Sequence, residues 1–125
     1  MTLVDFASPY RESTVSVIHK QTRSLAALDL TLYEIANAVG VKQSNPDEAG
    51  KILRLVNVSC RERILAVDSG LLESALGVAS EHGLTAYDAT YVAAAQRHGW
   101  TLVSTDIRDL VSKGLAVTPD AADYP

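Results

Sequence analysis

Residues 84–106, LTAYDATYVAAAQRHGWTLVSTD, hold the pattern that decides the fold. The pattern predicts a helix over 86–98, because Gly99 supplies the left-handed residue that commonly follows a last helical turn. A short apolar strand is predicted next, over 100–104. A helix that leads directly into a short apolar strand favours a parallel sheet with helices packed on its faces.

The same alternation of short apolar strands and helices extends over most of the chain. Further strands are predicted over 3–5, 25–29, 64–67 and 115–118, and further helices over 9–20, 31–41, 45–60, 69–82 and 107–113. We therefore expect an α/β fold of three layers, α/β/α, around a mostly parallel five-stranded sheet. Helices follow one another without a strand within residues 31–60 and 69–98, so the alternation is not a regular βα repeat.

Length and composition indicate one folded domain. The 125 residues are 47% apolar and 21% charged, which excludes a disordered or low-complexity chain. We assign residues 1–118 to a single domain and the polar residues 119–125 to a tail. The net charge of −4 argues against a protein that holds nucleic acid by bulk electrostatics. It does not exclude an enzyme in which metal ions bring phosphates to an acidic pocket.

Cysteine content and hydropathy favour the cytoplasm. Cys60 is the single cysteine, so an internal disulfide is impossible and a reducing compartment is the default. No apolar run reaches the ~18 residues of a membrane helix. The first residues, MTLVDFASPYR, lack the pattern of a signal peptide. We expect a cytoplasmic protein that does not associate with membranes.

Four acidic residues occupy positions where parallel strands end or the following helices begin. Asp5 ends the first predicted strand, and Asp106 follows the strand over 100–104. Glu34 and Asp88 lie in the first turns of predicted helices. In a parallel α/β fold, strand carboxyl ends and the amino ends of the following helices share one edge of the sheet, where ligands bind. The sequence therefore predicts that the four carboxylates lie at the same edge.

A group of carboxylates at one edge predicts a site for a hard divalent cation. Closely packed carboxylates repel one another, and Mg²⁺ or Mn²⁺ relieves that repulsion through the oxygen ligands that it prefers. Such ions can activate water against a phosphodiester. Ser104 and Thr105, beside Asp106, could hold water or a carboxylate next to the ion. The competing metal motifs CxxC and HExxH are absent from the sequence, and its three histidines lack ligand spacing.

Each of these acids except Asp5 also has a purely structural interpretation. Glu34 and Asp88 each lie three residues after a threonine, which fits a helix capping box. Asp106 could cap the last helix. One turn later lies Asp109, for which the sequence favours a solvated position over membership of the site. Asp5 starts no helix at once, and strand interiors disfavour aspartate.

Four segments of the sequence resemble the PIN-domain family, in particular the VapC-type toxins. The most specific segment is 84–95, LTAYDATYVAAA, and the next is 102–106, LVSTD. The segments 32–38, LYEIANA, and 4–5, VD, complete a resemblance that spans nearly the whole chain. It implies a five-stranded parallel sheet in the order 3-2-1-4-5.

The resemblance also implies a function and its partners. It implies endoribonuclease activity that depends on Mg²⁺ or Mn²⁺, with RNA as the substrate. It implies that the metal-binding acids are Asp5, Glu34, Asp88 and Asp106. A cognate antitoxin that blocks the acidic cleft is the expected protein partner, and a homodimer is the expected assembly.

Two rival functions stay open at this point. The family commonly has Asp-x-Ser after its first strand, whereas here Ala7 takes the serine position and Ser8 and Pro9 follow. This departure favours, as an alternative, a catalytically weakened PIN-like protein that binds a partner. A phospho-acceptor signalling domain would need an acceptor such as Asp68 and a lysine at the end of a late strand, but Lys113 lies in a helix pattern.

Overall fold

The computed structural model of the chain describes residues 1–5 and 25–122. In these ranges a sheet is formed by the strands β1 (Thr2–Val4), β2 (Leu25–Leu28), β3 (Ile64–Leu65) and β4 (Thr101–Val103). The strand order is β3-β2-β1-β4, and every pair is parallel. The predicted α/β class is confirmed. The helix predicted over 9–20 and the departure at Ala7, Ser8 and Pro9 lie outside the described residues.

The residues predicted as a fifth strand, 115–118, form a single parallel bridge beside β4. Val117 donates its N–H to the Leu102 carbonyl at 2.9 Å, and its carbonyl accepts from the Ser104 N–H at 3.0 Å. The ladder does not continue, because the next donor along this edge would be Pro119, which has no N–H. The order is thus 3-2-1-4-5 with the last strand reduced to one bridge.

Four α-helices cover the sheet in the described chain: α1 (Asp29–Ile35), α2 (Pro46–Cys60), α3 (Ser69–His82) and α4 (Ala86–His98). Shorter helical segments are a π-type stretch at Ala36–Lys42, a 3₁₀ turn at Arg61–Arg63 and a π-type turn at Ile107–Val111. None of the described helices is long and apolar enough to span a membrane.

Local signals set most helix ends where the sequence predicts them. The side-chain oxygen of Asn45 accepts from the Glu48 N–H at 3.2 Å and so caps α2. Gly83 and Gly99 follow α3 and α4 with φ of 66° and 67°, a backbone conformation that favours glycine. Both predicted helices, 69–82 and 86–98, are confirmed.

The helix predicted over 31–41 begins earlier, at Asp29, and changes character along its length. Thr31 is not its cap, because the Thr31 hydroxyl accepts from the Leu28 N–H at 3.1 Å from within the first turn. Farther along, the turns widen into the π type. Gly40 lies in this stretch, and a Cβ there would come within 3.3 Å of the Ala49 Cβ. The missing side chain therefore lets the stretch pack close against α2.

Apolar residues fill both faces of the sheet and so create the three layers. Leu3 and Leu102 belong to the core that includes α3 and α4, and the next residues along each strand, Val4 and Val103, belong to the core that includes α1 and α2. This alternation follows from the two-residue period of a strand. Strand β2 is buried along its whole length, as expected for a central strand of a parallel sheet.

Candidate functional site

The four predicted acids meet at the carboxyl edge of the sheet. Asp5 directly follows β1, and its N–H donates to the Val103 carbonyl at 2.9 Å, which extends the β1–β4 pairing. Asp106 lies in the loop after β4, and Asp88 lies in the first turn of α4. Glu34 lies in the second turn of α1 and not in the first turn as the sequence predicts, because the helix begins at Asp29. The charges of Asp5 and Asp88 both act on Glu34, so the fold brings these distant segments together.

Ser104 connects the acids that follow β1 and β4. Its hydroxyl donates to Asp5 Oδ2 at 3.1 Å and accepts from the Asp106 N–H at 3.0 Å. Ser104 is 1% exposed, so water does not compete for either contact. Its neighbour Thr105 is half-buried in the same loop. The hydroxyl therefore fixes the spacing between the two strand ends.

Tyr91 plays the corresponding part for the acid on α1. Its hydroxyl donates to Glu34 Oε1 at 2.7 Å and lies 2.8 Å from Thr31 Oγ1. The phenol has one proton, so when Glu34 is ionised the Thr31 hydroxyl must be the donor in the second contact. These contacts join α4 to α1 beside the sheet edge. The sequence analysis missed both hydroxyls, although Tyr91 lies one turn after Asp88 on the same helix.

Burial and like charges raise the pKa of Glu34 to about 7. Loss of solvation is the largest cause. The hydrogen bond from Tyr91 lowers the pKa, whereas the charges of Asp5 and Asp88 raise it. The carboxylate therefore lies in a site that disfavours further negative charge.

The pKa of Asp88 is raised to about 6 for similar reasons. Burial is again the largest cause, and the charges of Asp106, Asp5 and Asp109 add to it in that order. The ammonium of Lys113 acts in the opposite direction. Burial and mutual repulsion together raise the pKa of Asp88 above the ordinary range of a carboxylate, and a bound cation relieves the repulsion.

Asp109 joins this cluster, although the sequence favours a solvated position for it. One carboxylate oxygen from each of Asp88, Asp106 and Asp109 lies within 4.8 Å of the others, and all three residues are half-buried. Asp106 also caps the last helical turn, because its Oδ1 accepts from the Asp109 N–H at 2.9 Å. The cap and the cluster are thus compatible. The spacing of one helical turn from Asp106 makes Asp109 a candidate in the sequence, but the general exposure of acids favours the solvated position that the structure contradicts.

The donor set of this cluster fits a hard divalent cation. All of its donors are carboxylate oxygens, the ligands that Mg²⁺ and Mn²⁺ prefer. Two oxygens on opposite sides of a Mg²⁺ ion are about 4.2 Å apart, since each bond is about 2.1 Å long. Two ligands on adjacent positions of the ion are only about 3.0 Å apart, so the three carboxylates would move closer together to bind it directly. The fold therefore defines a class of site in which half-buried carboxylates lie together at the carboxyl edge of a parallel sheet.

The chain belongs to the PIN-domain family. The family model "PIN domain" matches residues 3–112. The chain is 35% identical over 104 residues to "Ribonuclease VapC3" of Pyrobaculum aerophilum, with 79% of each protein covered. It is 36% identical over 96 residues to "Exonuclease VapC9" of the same organism, and this match covers 75% of this chain and 70% of the relative. The predicted resemblance is therefore confirmed.

Solved structures show the same fold. The crystal structure of PAE2754 from Pyrobaculum aerophilum superposes with a TM-score of 0.73 at 30% identity, over 95% of this chain and 83% of that one. A toxin–antitoxin complex from Klebsiella pneumoniae gives 0.71 at 18% identity, over 95% and 98% of the two chains. FitAcB from Neisseria gonorrhoeae gives 0.66 at 19% identity, over 98% and 100%. At these last two identities the likeness concerns the fold alone.

Proposed function

We propose that this protein is a Mg²⁺- or Mn²⁺-dependent endoribonuclease and the toxin of a VapBC-type toxin–antitoxin pair. The observation that carries the proposal is the approach of the Asp88, Asp106 and Asp109 carboxylates to within 4.8 Å of one another. Relatives named ribonuclease and exonuclease at about 35% identity support nuclease chemistry on this fold. The VapC names of these relatives and the toxin–antitoxin complex from Klebsiella pneumoniae that shares the fold support the biological setting.

The acids would divide the work of holding the cation. Asp88, Asp106 and Asp109 are the candidates for direct ligands, because one oxygen of each lies within 4.8 Å of the others. Asp5 and Glu34 lie close to the same site, because the charge of Asp5 acts on Asp88 and the charges of Asp5 and Asp88 act on Glu34. A divalent cation bound there supplies activated water and neutralises the charge that develops on the phosphodiester.

Hydrogen-bonded neighbours would keep these carboxylates in position. Ser104 restrains Asp5 through one oxygen, and Tyr91 restrains Glu34 through another. Such contacts fix the direction of a ligand and tune its basicity, which makes metal sites sensitive to their loss. In this proposal Ser104 and Tyr91 are positioning residues, with no contact to the reacting atoms.

The proposed substrate is RNA, and the proposed protein partner is a cognate antitoxin that covers the acidic pocket. A net charge of −4 means that RNA phosphates approach this pocket only when cations offset the carboxylates. The proposal also includes a homodimer in the cytoplasm. Those two parts follow from the family resemblance and from the single cysteine.

The phospho-acceptor alternative finds no support in the structure. The Asp68 carboxylate accepts from the Leu71 N–H at 2.8 Å and so caps α3 as an exposed residue. Lys113 donates to the His82 carbonyl at 2.7 Å. Neither residue takes the part that a phospho-acceptor domain requires, and the chain belongs to a different family.

Cleavage of single-stranded RNA in the presence and absence of Mg²⁺ or Mn²⁺ tests the proposed activity. Cleavage should require the cation and be lost in Asp88→Asn and Asp106→Asn. Asp88→Asn removes a charge that its neighbours repel, so this variant should fold at least as stably as the parent. Asp47→Asn, the same change at an exposed position on α2, should cleave at the parent rate.

Two results would overturn the proposal. The first is equal cleavage by the parent and by folded Asp88→Asn and Asp106→Asn variants. The second is the absence of cleavage of any RNA tested at millimolar Mn²⁺ by a folded protein that still binds a protein partner. The second result would favour the non-catalytic PIN-like alternative.

A further inference from the structure

A chain of buried hydroxyl groups runs from the end of β2 to the acid on α1. The Leu28 N–H donates to Thr31 Oγ1 at 3.1 Å, and Thr31 Oγ1 lies 2.8 Å from the Tyr91 hydroxyl. That hydroxyl donates to Glu34 Oε1 at 2.7 Å. Leu28 and Thr31 are fully buried and Tyr91 is 1% exposed, so bulk water does not compete for these contacts. The chain therefore connects the backbone of the sheet to a carboxylate of the candidate site.

Thr31 makes one contact more than the start of a helix requires. Because α1 begins at Asp29, the Leu28 N–H lies just before the helix, and the Thr31 hydroxyl supplies its acceptor. That contact uses an oxygen lone pair of the threonine, so the hydroxyl proton remains for another partner. The contact with Tyr91 spans 60 residues of sequence and joins α1 to α4. Local helix capping thus accounts for the first contact only.

The number of available protons sets the direction of the chain. A backbone N–H can only donate, so Thr31 Oγ1 is the acceptor for Leu28. Tyr91 has a single proton and donates it to an ionised Glu34, so the phenol oxygen accepts a hydrogen bond from Thr31. Each hydroxyl then accepts one hydrogen bond and donates another, an arrangement in which the bonds polarise and strengthen one another. Thr31 therefore favours the orientation in which the Tyr91 proton points at the ionised carboxylate, the form that binds a cation.

Glu34 requires such support because neighbouring acids repel it. The charges of Asp5 and Asp88 both act on its carboxylate. Thr31 precedes Glu34 by three residues, so the two side chains lie on the same face of α1, and the Tyr91 hydroxyl contacts both of them. The contact with Tyr91 engages one carboxylate oxygen, so the other oxygen can serve as a ligand.

We propose that Thr31 is a further positioning residue of the cation site, which acts through the Tyr91 hydroxyl to hold the Glu34 carboxylate beside the other acids. The inference rests on the proposed nuclease function, because it assumes that these acids bind a divalent cation. Thr31 itself contacts neither the cation nor the RNA. Its hydroxyl affects the cation only through the two side chains that follow it in the chain.

The Mn²⁺ affinity of the protein, measured by calorimetry, tests the inference. Thr31→Val keeps the shape of the side chain and removes the hydroxyl. It should weaken Mn²⁺ binding about 10-fold, the lower end of the effect of outer-shell partners, because Thr31 acts through a second residue. Thr31→Ser keeps the hydroxyl and should bind like the parent.

Thr90→Val is the matched control for the loss of a buried threonine hydroxyl. Thr90 lies on α4 and is 1% exposed, and its hydroxyl donates to the Ala86 carbonyl at 2.6 Å rather than to a side chain of the site. This variant should bind Mn²⁺ with the parent affinity.

A double-mutant cycle separates the positioning role of Thr31 from a purely structural one. Tyr91→Phe removes the hydroxyl through which Thr31 is proposed to act. In the Tyr91→Phe background, Thr31→Val should therefore change Mn²⁺ affinity by less than about twofold. If Thr31 only supported the start of α1, its replacement would have the same effect on affinity in both backgrounds.

The same proteins distinguish failure of the inference from failure of the proposed function. If the parent binds Mn²⁺ and folded Thr31→Val binds it equally well, the inference is overturned and the nuclease proposal remains. The inference is also overturned if Thr31→Val weakens binding equally with and without the Tyr91 hydroxyl. Thr31→Ala also lacks the hydroxyl and fills less space, so it provides the same comparison if the valine variant does not fold. A parent that binds no Mn²⁺ would overturn the proposed function together with the inference.

Discussion

Replacement of Tyr91 by Phe removes the hydroxyl that joins α4 to the carboxylate on α1. That hydroxyl donates to Glu34 Oε1 at 2.7 Å and contacts Thr31 Oγ1 at 2.8 Å. Tyr91 is 1% exposed, so water cannot take the place of the lost group. A hydrogen bond to a charged group contributes roughly 1.5–3 kcal/mol and a neutral one roughly 0.5–1.5 kcal/mol. We therefore expect Tyr91→Phe to lower the free energy of unfolding by about 2–4 kcal/mol at pH 8.

The loss should be smaller at pH 5. The Tyr91 hydrogen bond lowers the pKa of Glu34, which means that it stabilises the ionised carboxylate. Since the pKa of Glu34 is about 7, this group is largely protonated at pH 5 and ionised at pH 8. Urea unfolding of the metal-free parent and variant at both pH values, followed by circular dichroism, measures the difference.

Tyr33→Phe is the matched control, because it removes the same hydroxyl from an exposed ring one residue before Glu34. It should change stability by less than about 0.5 kcal/mol at either pH. An equal loss for Tyr91→Phe at pH 5 and pH 8 would refute the coupling to Glu34. A loss no larger than that of the control would refute the whole assignment of the hydrogen-bonded link.

Other consequences concern the acids and their hydrogen bonds. The metal-free protein should lose stability as pH rises from 5 to 8. Glu34 and Asp88 have raised pKa values of about 7 and about 6, so the folded state keeps protons that the unfolded chain releases. A urea midpoint that rises over this interval would contradict the prediction. Ser104→Ala should weaken Mn²⁺ binding about 10- to 100-fold in calorimetry, because it removes the hydroxyl that connects Asp5 to Asp106. An unchanged affinity would show that this hydroxyl has no effect on the site. Thr85 caps α4, because its hydroxyl accepts from the Asp88 N–H at 3.1 Å, so Thr85→Ala should lower the free energy of unfolding by about 1 kcal/mol. Unchanged stability would show that the cap does not stabilise the helix.

Short-range signals explain why much of the fold was predictable. Gly83 and Gly99 end their helices because a left-handed residue is needed there, and Asn45 begins a helix because its side chain replaces a missing backbone acceptor. These effects act within a few residues, so the sequence alone reveals them. Pro119 limits the 115–118 strand locally, because it has no N–H, whereas the pairing of Val117 with β4 is a long-range contact that no local pattern reports.

The candidate site shows the same limit. The positions of Asp5, Asp88 and Asp106 were predictable, because the topology of parallel sheets sends strand ends and first helical turns to one edge. Glu34 reaches the site from the second turn of α1, a position this rule does not cover. The sequence predicts that Ser104 could hold a carboxylate, but not that the carboxylate is Asp5, 99 residues away. The contact of the Tyr91 hydroxyl with Glu34, which spans 57 residues, was not predicted. Asp109 was judged as a solvated residue, since acids are mostly exposed, and its burial depends on neighbours from α4.

Carboxylates from distant segments of the chain gather where a divalent cation would bind, and a crystal soaked in Mn²⁺ shows whether they hold one. Anomalous diffraction locates manganese without reference to any assumed ligand. The account predicts a peak bounded by Asp88, Asp106 and Asp109, with Asp5 and Glu34 facing it. A soaked crystal that shows no peak there, or shows manganese only at other acids of the surface, would contradict the account.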